Sequence, residues 1–435
     1  MRDVLVLAII FCSLPVCFLR PYVGILVWSW ISYMNPHMLC WGIARNFPVS
    51  QFVGLATLTG FPFARERDKL PLERETILLL LLWMMYTLTS FFAFNPIVAW
   101  SKWSRVSKIL LFTFLTIPLF IDKKRLKYLL LTMVFSIGLY SIKGGIFSII
   151  TGGQYKIWGP EQSFIGDNNS MGLAMLMVLP MFFYLAREER YKPLRNLLQM
   201  TFFLTIISIL FTYSRGAFLG LIAVMFLFFL KLNKRYIACL MILFGVFFVL
   251  KFAPEQWRAR MATIQNYQQD ASTQGRFTAW YFAWKLALDK PFIGGGFEAF
   301  NVELFQRYGF EKREARASHS IYFGVLGEHG FITLGLFLAI IVSCWLSLHK
   351  LKRKFKYFPS CSWICNYCDM LQISIFAYMI SGAFLPFAYF DLYYHVVSIV
   401  IILKVLANKE YEDLMEERSE TACNTTIDGR LIVSS

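Results

Sequence analysis

The sequence predicts an all-α, polytopic integral membrane fold, with about 12 transmembrane helices and one large helical loop on the outer side. Three observations carry this. Hydrophobic residues make up 57% of the 435-residue chain and charged residues only 16%, against about 25% charged in soluble domains. Apolar runs of about 17 to 25 residues, the length that crosses a hydrocarbon core, recur along the chain. Cations gather in short connections between alternate pairs of those runs. A soluble globule has no interior large enough for 44 Phe, 21 Tyr and 12 Trp, so much of this surface must face lipid. Soluble enzymes and disordered tails are excluded.

Taken in order, the first 64 residues hold apolar stretches near 4–19, 22–40 and 49–63, broken by Pro21, Pro36, Pro48 and Pro62. Two or three of these span. Pro15 and Arg20-Pro21 lead into more apolar sequence instead of a small-residue cleavage site, so the first run reads as a retained helix. Further spans are expected at 76–94, 105–121, 128–150, 169–186, 196–213, 216–231, 235–252, 320–348, 369–388 and 391–407, giving 12 or 13 in all. The tail after Asn408 is short and acidic and reads as a solvated extension. No period of 20 to 50 residues repeats.

The net charge of +16 would suggest nucleic acid in a soluble protein. Here its distribution removes that reading. Sixteen cations lie in four clusters: Lys123, Lys124, Arg125 and Lys127; Arg187, Arg190, Lys192 and Arg195; Lys231, Lys234 and Arg235; and Lys350, Lys352, Arg353, Lys354 and Lys356. The spacing of spans puts all four on one side, the cytoplasm. The other side receives 151–168, 213–216 and the long segment 253–318, which has nine cations and seven acids. Within it, the run from Arg276 to Lys290 reads as an amphipathic, aromatic helix lying at the interface, ended by Pro291 and Gly294-Gly295-Gly296. Most of the nine cysteines fall inside apolar runs, which argues against a disulfide framework. Cys361, Cys365 and Cys368 lack a fourth ligand for a metal.

Side chains able to do chemistry are few. His349 adjoins a basic cluster, and His37 and His395 sit near span ends, where a lone histidine is usually filler. His319 differs. It follows Arg313 and Arg316 and opens the run HSIYFGVLGEHGFITLG at the outer surface. At about 100° per residue, Gly330 falls within roughly 20° of His319, and Glu328 on the opposite face. His319 is either an acid or base, or a satisfied interfacial histidine. Arg215, in FTYSRGAFLG, sits between two apolar runs, where an unpaired cation costs at least a few kcal/mol. It either pairs with a carboxylate such as Asp167 or Asp391, or awaits an anion. Arg276 shares a helical face with Trp280 and Trp284, a solvated cation or part of a headgroup or sugar platform. Basic side chains on one membrane face suit a diphosphate, because guanidinium forks match phosphate oxygens. The outer loops hold no D-x-D or D-x-E pair for a metal-clamped diphosphate. Walker A, dinucleotide, G-x-S-x-G and H-E-x-x-H motifs are also missing.

Several of these motifs together resemble bacterial O-antigen ligases and the wider O-antigen ligase and polymerase superfamily. His319-Ser320, nine residues, Gly330, two residues and Thr333 match the ligase pattern H-[NSQ]-x9-G-x-x-[GTY]. TYSRG at 212–216 resembles the superfamily's arginine motif. GRFTAWYFAWKLALDKPFIGGGFEAFN at 275–301 resembles its periplasmic-loop signature, and IGDNNSMGLAMLMVLP at 165–180 its D-x-N helix. The stretch at 20–44 is similar to O-glycosylation ligases found with exosortase and exopolysaccharide loci. The resemblance covers about residues 1–345. It implies an inner-membrane glycosyltransferase whose donor is a glycan on undecaprenyl diphosphate at the periplasmic face, needing neither metal nor nucleotide. It implies that Arg215 and Arg276 hold the diphosphate, and that His319 activates an acceptor hydroxyl, with inversion. Arg313, Arg316, Trp280, Trp284, Asp167 and Asn169 would add substrate contacts. The acceptor would be lipid A core, a protein or another glycan. A polymerase of carrier-linked repeats is the alternative, and a flippase would instead show related halves. Three regions are expected: N-terminal transmembrane helices at 1–195, a ligase-like core at 196–348 containing loop 253–318, and a cytoplasmic loop, last helices and acidic tail at 349–435.

Overall fold

Hydrocarbon offers no partners to backbone N–H and C=O groups, so a chain this apolar satisfies them within helices. The computed structural model describes residues 1–161, 163–232, 235–262 and 271–431, and contains no strand among them. Seventeen α-helices follow in order: α1 (Arg2–Leu19), α2 (Pro21–Met34), α3 (Ile43–Asn46), α4 (Val49–Gly60), α5 (Arg74–Phe91), α6 (Pro96–Leu119), α7 (Lys123–Ile150), α8 (Asn168–Glu188) and α9 (Lys192–Leu210). They continue with α10 (Arg215–Lys231), α11 (Arg235–Phe252), α12 (Glu255–Ala262), α13 (Ala271–Asp289), α14 (Val302–Arg307), α15 (Ile321–Phe355), α16 (Ser362–Gly382) and α17 (Asp391–Leu431). The fold is an all-α polytopic membrane protein.

Six helices, α1, α7, α8, α9, α15 and the Asp391–Glu416 part of α17, are long and apolar enough to cross a membrane by length and composition. The stretches expected near 76–94, 105–121, 216–231 and 369–388 are also helical, as α5, α6, α10 and α16. α10 has 17 residues, and α6, with 24, carries Lys102, Arg105 and Lys108 at its seventh, tenth and thirteenth positions; both are within the length that crosses a hydrocarbon core. The acidic tail departs from expectation, since it continues α17 as helix to Leu431.

The described residues of all four basic clusters gather at one end of the bundle, around the start of α16. Lys123 lies over the Trp363 ring, 4.4 Å from its centre. Lys127 pairs with Glu189 at 2.7 Å, and Asn366 donates to Glu188. Lys231 and Lys352 share the buried carboxylate of Asp369, at 2.9 and 2.7 Å. These two lysines therefore lock helices together besides biasing orientation. Nearby, buried Glu75 accepts hydrogen bonds from Ser343 at 2.5 Å and Ser347 at 2.6 Å and pairs with Lys404 at 2.6 Å, tying α5 to α15 and α17.

At the opposite end, α15 is broken at Gly330 (φ 78°, ψ −174°), a backbone region open essentially to glycine alone. The break frees carbonyls that would otherwise bond along the helix. The loop after α13 takes two of them, Gly295 N–H donating to Gly327 O at 2.9 Å and Gly296 N–H to Glu328 O at 2.7 Å, and its Pro291 O accepts the N–H of Phe331 at 2.8 Å. Backbone meets backbone so closely here that a Cβ on Gly294 would lie 2.6 Å from the Glu328 carbonyl carbon. α13 and α14 add a small apolar core of their own, built on Phe282, Leu286, Leu304 and Phe305.

Gly330→Ala should be strongly destabilising, because a Cβ would sit 2.5 Å from Pro291 O on a backbone that costs alanine about 1–3 kcal/mol. A clearly lowered melting temperature of the purified protein is the expected result. An unchanged melting curve would mean the kink is not required.

Candidate active site

Three helices begin at the end opposite the basic clusters, and their first turns converge. Asp167 caps α8: its Oδ1 accepts from the N–H of Asn169 at 2.9 Å and of Ser170 at 3.2 Å, leaving the carboxylate fixed and exposed. Asn168 reaches across and donates to Thr212 O at 2.7 Å. That carbonyl belongs to the turn entering α10, where Tyr213 adopts φ 59° and its hydroxyl donates to Gly153 O at 2.9 Å. Ser214 caps α10, and Arg215 is its first residue and is buried. Gly216 and Gly220 let α10 approach α16 closely, with Ser381 Oγ donating to Gly216 O at 3.1 Å. Asp391, one carboxylate considered for Arg215, is occupied elsewhere by the Ser32 hydroxyl and the N–H of Leu392.

His319 does not lie on the α15 helix wheel. It precedes the cap, Ser320, and holds φ 43°. A left-handed conformation is uncommon for any residue but glycine, though histidine takes it more readily than most, and its neighbours hold it there. Ser318 O accepts from Trp280 Nε1 at 2.8 Å, Ser318 Oγ donates to Ser320 O at 3.1 Å, and the Trp280 ring stacks on Phe323 with centres 5.0 Å apart. Trp280 thus braces the histidine turn from α13. Gly275, with no Cβ, lies directly under the Arg316 side chain. Trp284, one turn past Trp280, is exposed and meets Phe331 edge-on.

Three of the charged residues act on His319. Burial lowers the pKa of His319 most; Arg276 lowers it further, Asp167 opposes and Arg316 adds to the lowering. Four of the predicted residues, Asp167, Arg276, Arg316 and His319, therefore share one field. The start of α10 packs on the same end of α16 as this turn: Gly216 rests on Phe384, and Gly382 on Ile321, two residues past His319. Asn169 turns back onto Asn168 at 3.3 Å. The side chain of Arg313 lies outside the described residues. A neutral imidazole beside several guanidiniums can accept a proton while an anion is held next to it.

Comparison with known families bears on this region. Residues 200–338 match the O-antigen ligase family, a stretch from α9 past the Gly330 kink that includes Arg215, Arg276, Arg316 and His319. The chain carries an O-antigen ligase domain. Residues 1–190, which contain Asp167, match a family of unknown function, DUF5935. No curated protein matches the chain. The O-antigen ligase domain and the preceding region thus each contribute a helix start to the cluster.

Sequence reasoning passed over a second set of residues that shapes the ligase domain. Glu328, on buried α15, accepts from the Tyr389 hydroxyl and, at 2.9 Å, from Glu298 N–H. His329 is wholly buried and hydrogen-bonds Thr89 at 2.6 Å and Tyr389 at 2.8 Å. Glu298, itself at φ 59°, pairs with Lys102 of α6 at 2.9 Å. This network ties α5, α6 and α17's lead-in to the kinked helix. An ionisable pair inside an apolar run was the available signal. The three cysteines considered for metal are placed at the basic end, and no group of three His, Cys, Asp or Glu suited to a metal occurs among the described residues.

Trp280→Phe keeps the stack but removes the bond to Ser318 O. It should cost about 1 kcal/mol of stability yet reduce glycan transfer about tenfold or more; equal activity would show that the bond does not position His319. The neutral imidazole is the proton-accepting form, so its lowered pKa should hold the acid limb of the pH–rate profile below the ordinary histidine value. Asp167→Asn retains the cap but removes the charge that favours protonation, so that limb should move further acid. A shift toward neutral pH would contradict the assignment.

Proposed function

We propose that the protein is an inner-membrane glycosyltransferase that moves a glycan from undecaprenyl diphosphate to an acceptor hydroxyl at the periplasmic face. The observation that carries this reading is that Arg276, Arg316 and Asp167 act on His319, while buried Arg215 opens α10 at the same end, away from the basic clusters. In this reading that end faces the periplasm, as the positive-inside bias requires.

The chemistry follows from the side chains. Arg215 and Arg276 bind the diphosphate, with Arg316 and Arg313 at the rim and Asp167 and Asn169 toward the sugar. His319 takes the proton from the acceptor hydroxyl as its oxygen attacks the anomeric carbon. The glycosidic bond to the diphosphate breaks, and its electron pair leaves on undecaprenyl diphosphate, where the guanidiniums stabilise the growing charge. A single displacement inverts the anomeric centre. The cations take the part that a metal ion plays in other diphosphate enzymes, so the reaction proceeds in chelator. Trp284, exposed near the entrance, offers a face for sugar or lipid headgroup.

The deciding experiment supplies purified enzyme with undecaprenyl-diphosphate glycan and, separately, lipid A core, acceptor peptides or a second carrier-linked glycan, with products identified by mass spectrometry. Arg215→Ala, Arg276→Ala and His319→Asn should each lower transfer by about 100-fold or more, while the variants remain folded. Full activity in the His319 variant would end its role as base. A product lengthened on the carrier would identify a polymerase, and no product with any acceptor would overturn the transferase reading.

A further inference from the structure

A second cationic site lies away from the histidine cluster, within the region that matches a family of unknown function. α6 starts at the same end of the bundle as His319, since Phe94 N–H donates to Gly295 O at 3.1 Å and Lys102 pairs with Glu298. Arg105 and Lys108 follow on α6, Lys108 about 9 Å further along the axis than Lys102. Both line a cavity of about 700 Å³ between α2, α4 and α6. Among the described residues neither makes an ion pair or side-chain hydrogen bond, and no acidic side chain lines the cavity. Ser32, in the cavity wall, is bonded to the carboxylate of Asp391.

The rest of the lining is divided. Asn35 and Gln51 add polar groups beside the cations. Phe112, one turn past Lys108 on the same face of α6, stacks on Trp28 with ring centres 4.5 Å apart, and exposed Leu55 of α4 continues the apolar lining. Arg105 and Lys108 are exposed along this cavity and a cation beside hydrocarbon is costly unless paired, so a polar pocket running into an apolar, exposed wall matches a molecule with a charged head and a hydrocarbon chain. The volume is in the range of ordinary ligand sites. The geometry points to a binding site for a phosphate-headed lipid, its headgroup between Arg105 and Lys108 and its chain against Trp28, Phe112 and Leu55. It stands whether or not the glycosyl-transfer reading does.

The test uses the full-length protein in detergent, titrated with phosphatidic acid bearing a fluorescent tail. Wild type should bind it at least tenfold more tightly than phosphatidylcholine with the same tail. Arg105→Gln/Lys108→Gln should lose that preference, Lys108→Glu should weaken binding alone, and Lys108→Arg should retain it; matched melting temperatures exclude misfolding. Binding should persist in Arg215→Ala/Arg276→Ala. Unchanged affinity in the double glutamine variant, or loss in the Arg215/Arg276 variant, would overturn the site. Displacement by inorganic phosphate as potent as by short-chain phosphatidic acid would overturn its assignment to a lipid.

Discussion

The break in α15 is the constraint on which the candidate site depends. A straight helix would keep its carbonyls for itself and leave the 291–300 loop unanchored. Opened at Gly330, the helix bonds that loop backbone to backbone. The loop follows α13, so the same contact that ends one half of α15 also sets where Arg276 and Trp280 lie relative to His319. Glu328 and His329 then hold the kink from behind, through Tyr389, Thr89 and Glu298. A buried polar network of this type is specific because each partner left unmet would be expensive.

Charge is divided by task. At one end, lysines neutralise buried carboxylates, as Lys231 and Lys352 do for Asp369 and Lys404 for Glu75. At the other, Arg276 and Arg316 act on a histidine together with the exposed carboxylate of Asp167. The first arrangement consumes charge to join helices. The second concentrates positive potential next to a neutral proton acceptor, which is what departure of an anion from a neutral sugar calls for.

Much of this was legible in residue order. The fold class followed from hydrophobic content and run length, and Arg215, Arg276 and His319 were each conspicuous as polar groups at the edges of apolar runs. What escaped was three-dimensional direction. Periodicity placed His319 and Gly330 on one helix face, because a wheel cannot show that one residue lies before the cap and the other breaks the helix. Trp280 looked like a free platform, yet its indole is committed to Ser318 and Phe323. Arg105 and Lys108 were absorbed into an expected span, since short windows of hydropathy average two cations away. The prolines of the first 64 residues likewise hid the fact that Pro21 and Pro48 introduce helices instead of interrupting them.

The left-handed backbone of His319 also changes what a substitution there measures. Any replacement alters two things, the imidazole and the cost of holding φ at 43°. Alanine gains nothing from that conformation, so its variant would mix lost chemistry with a relaxed turn. Asparagine tolerates the left-handed region better than most residues, and so serves as the cleaner reference state. The same preference offers natural variation a narrow corridor: a chain that abandons the histidine while keeping the turn is most easily rebuilt with asparagine or glycine.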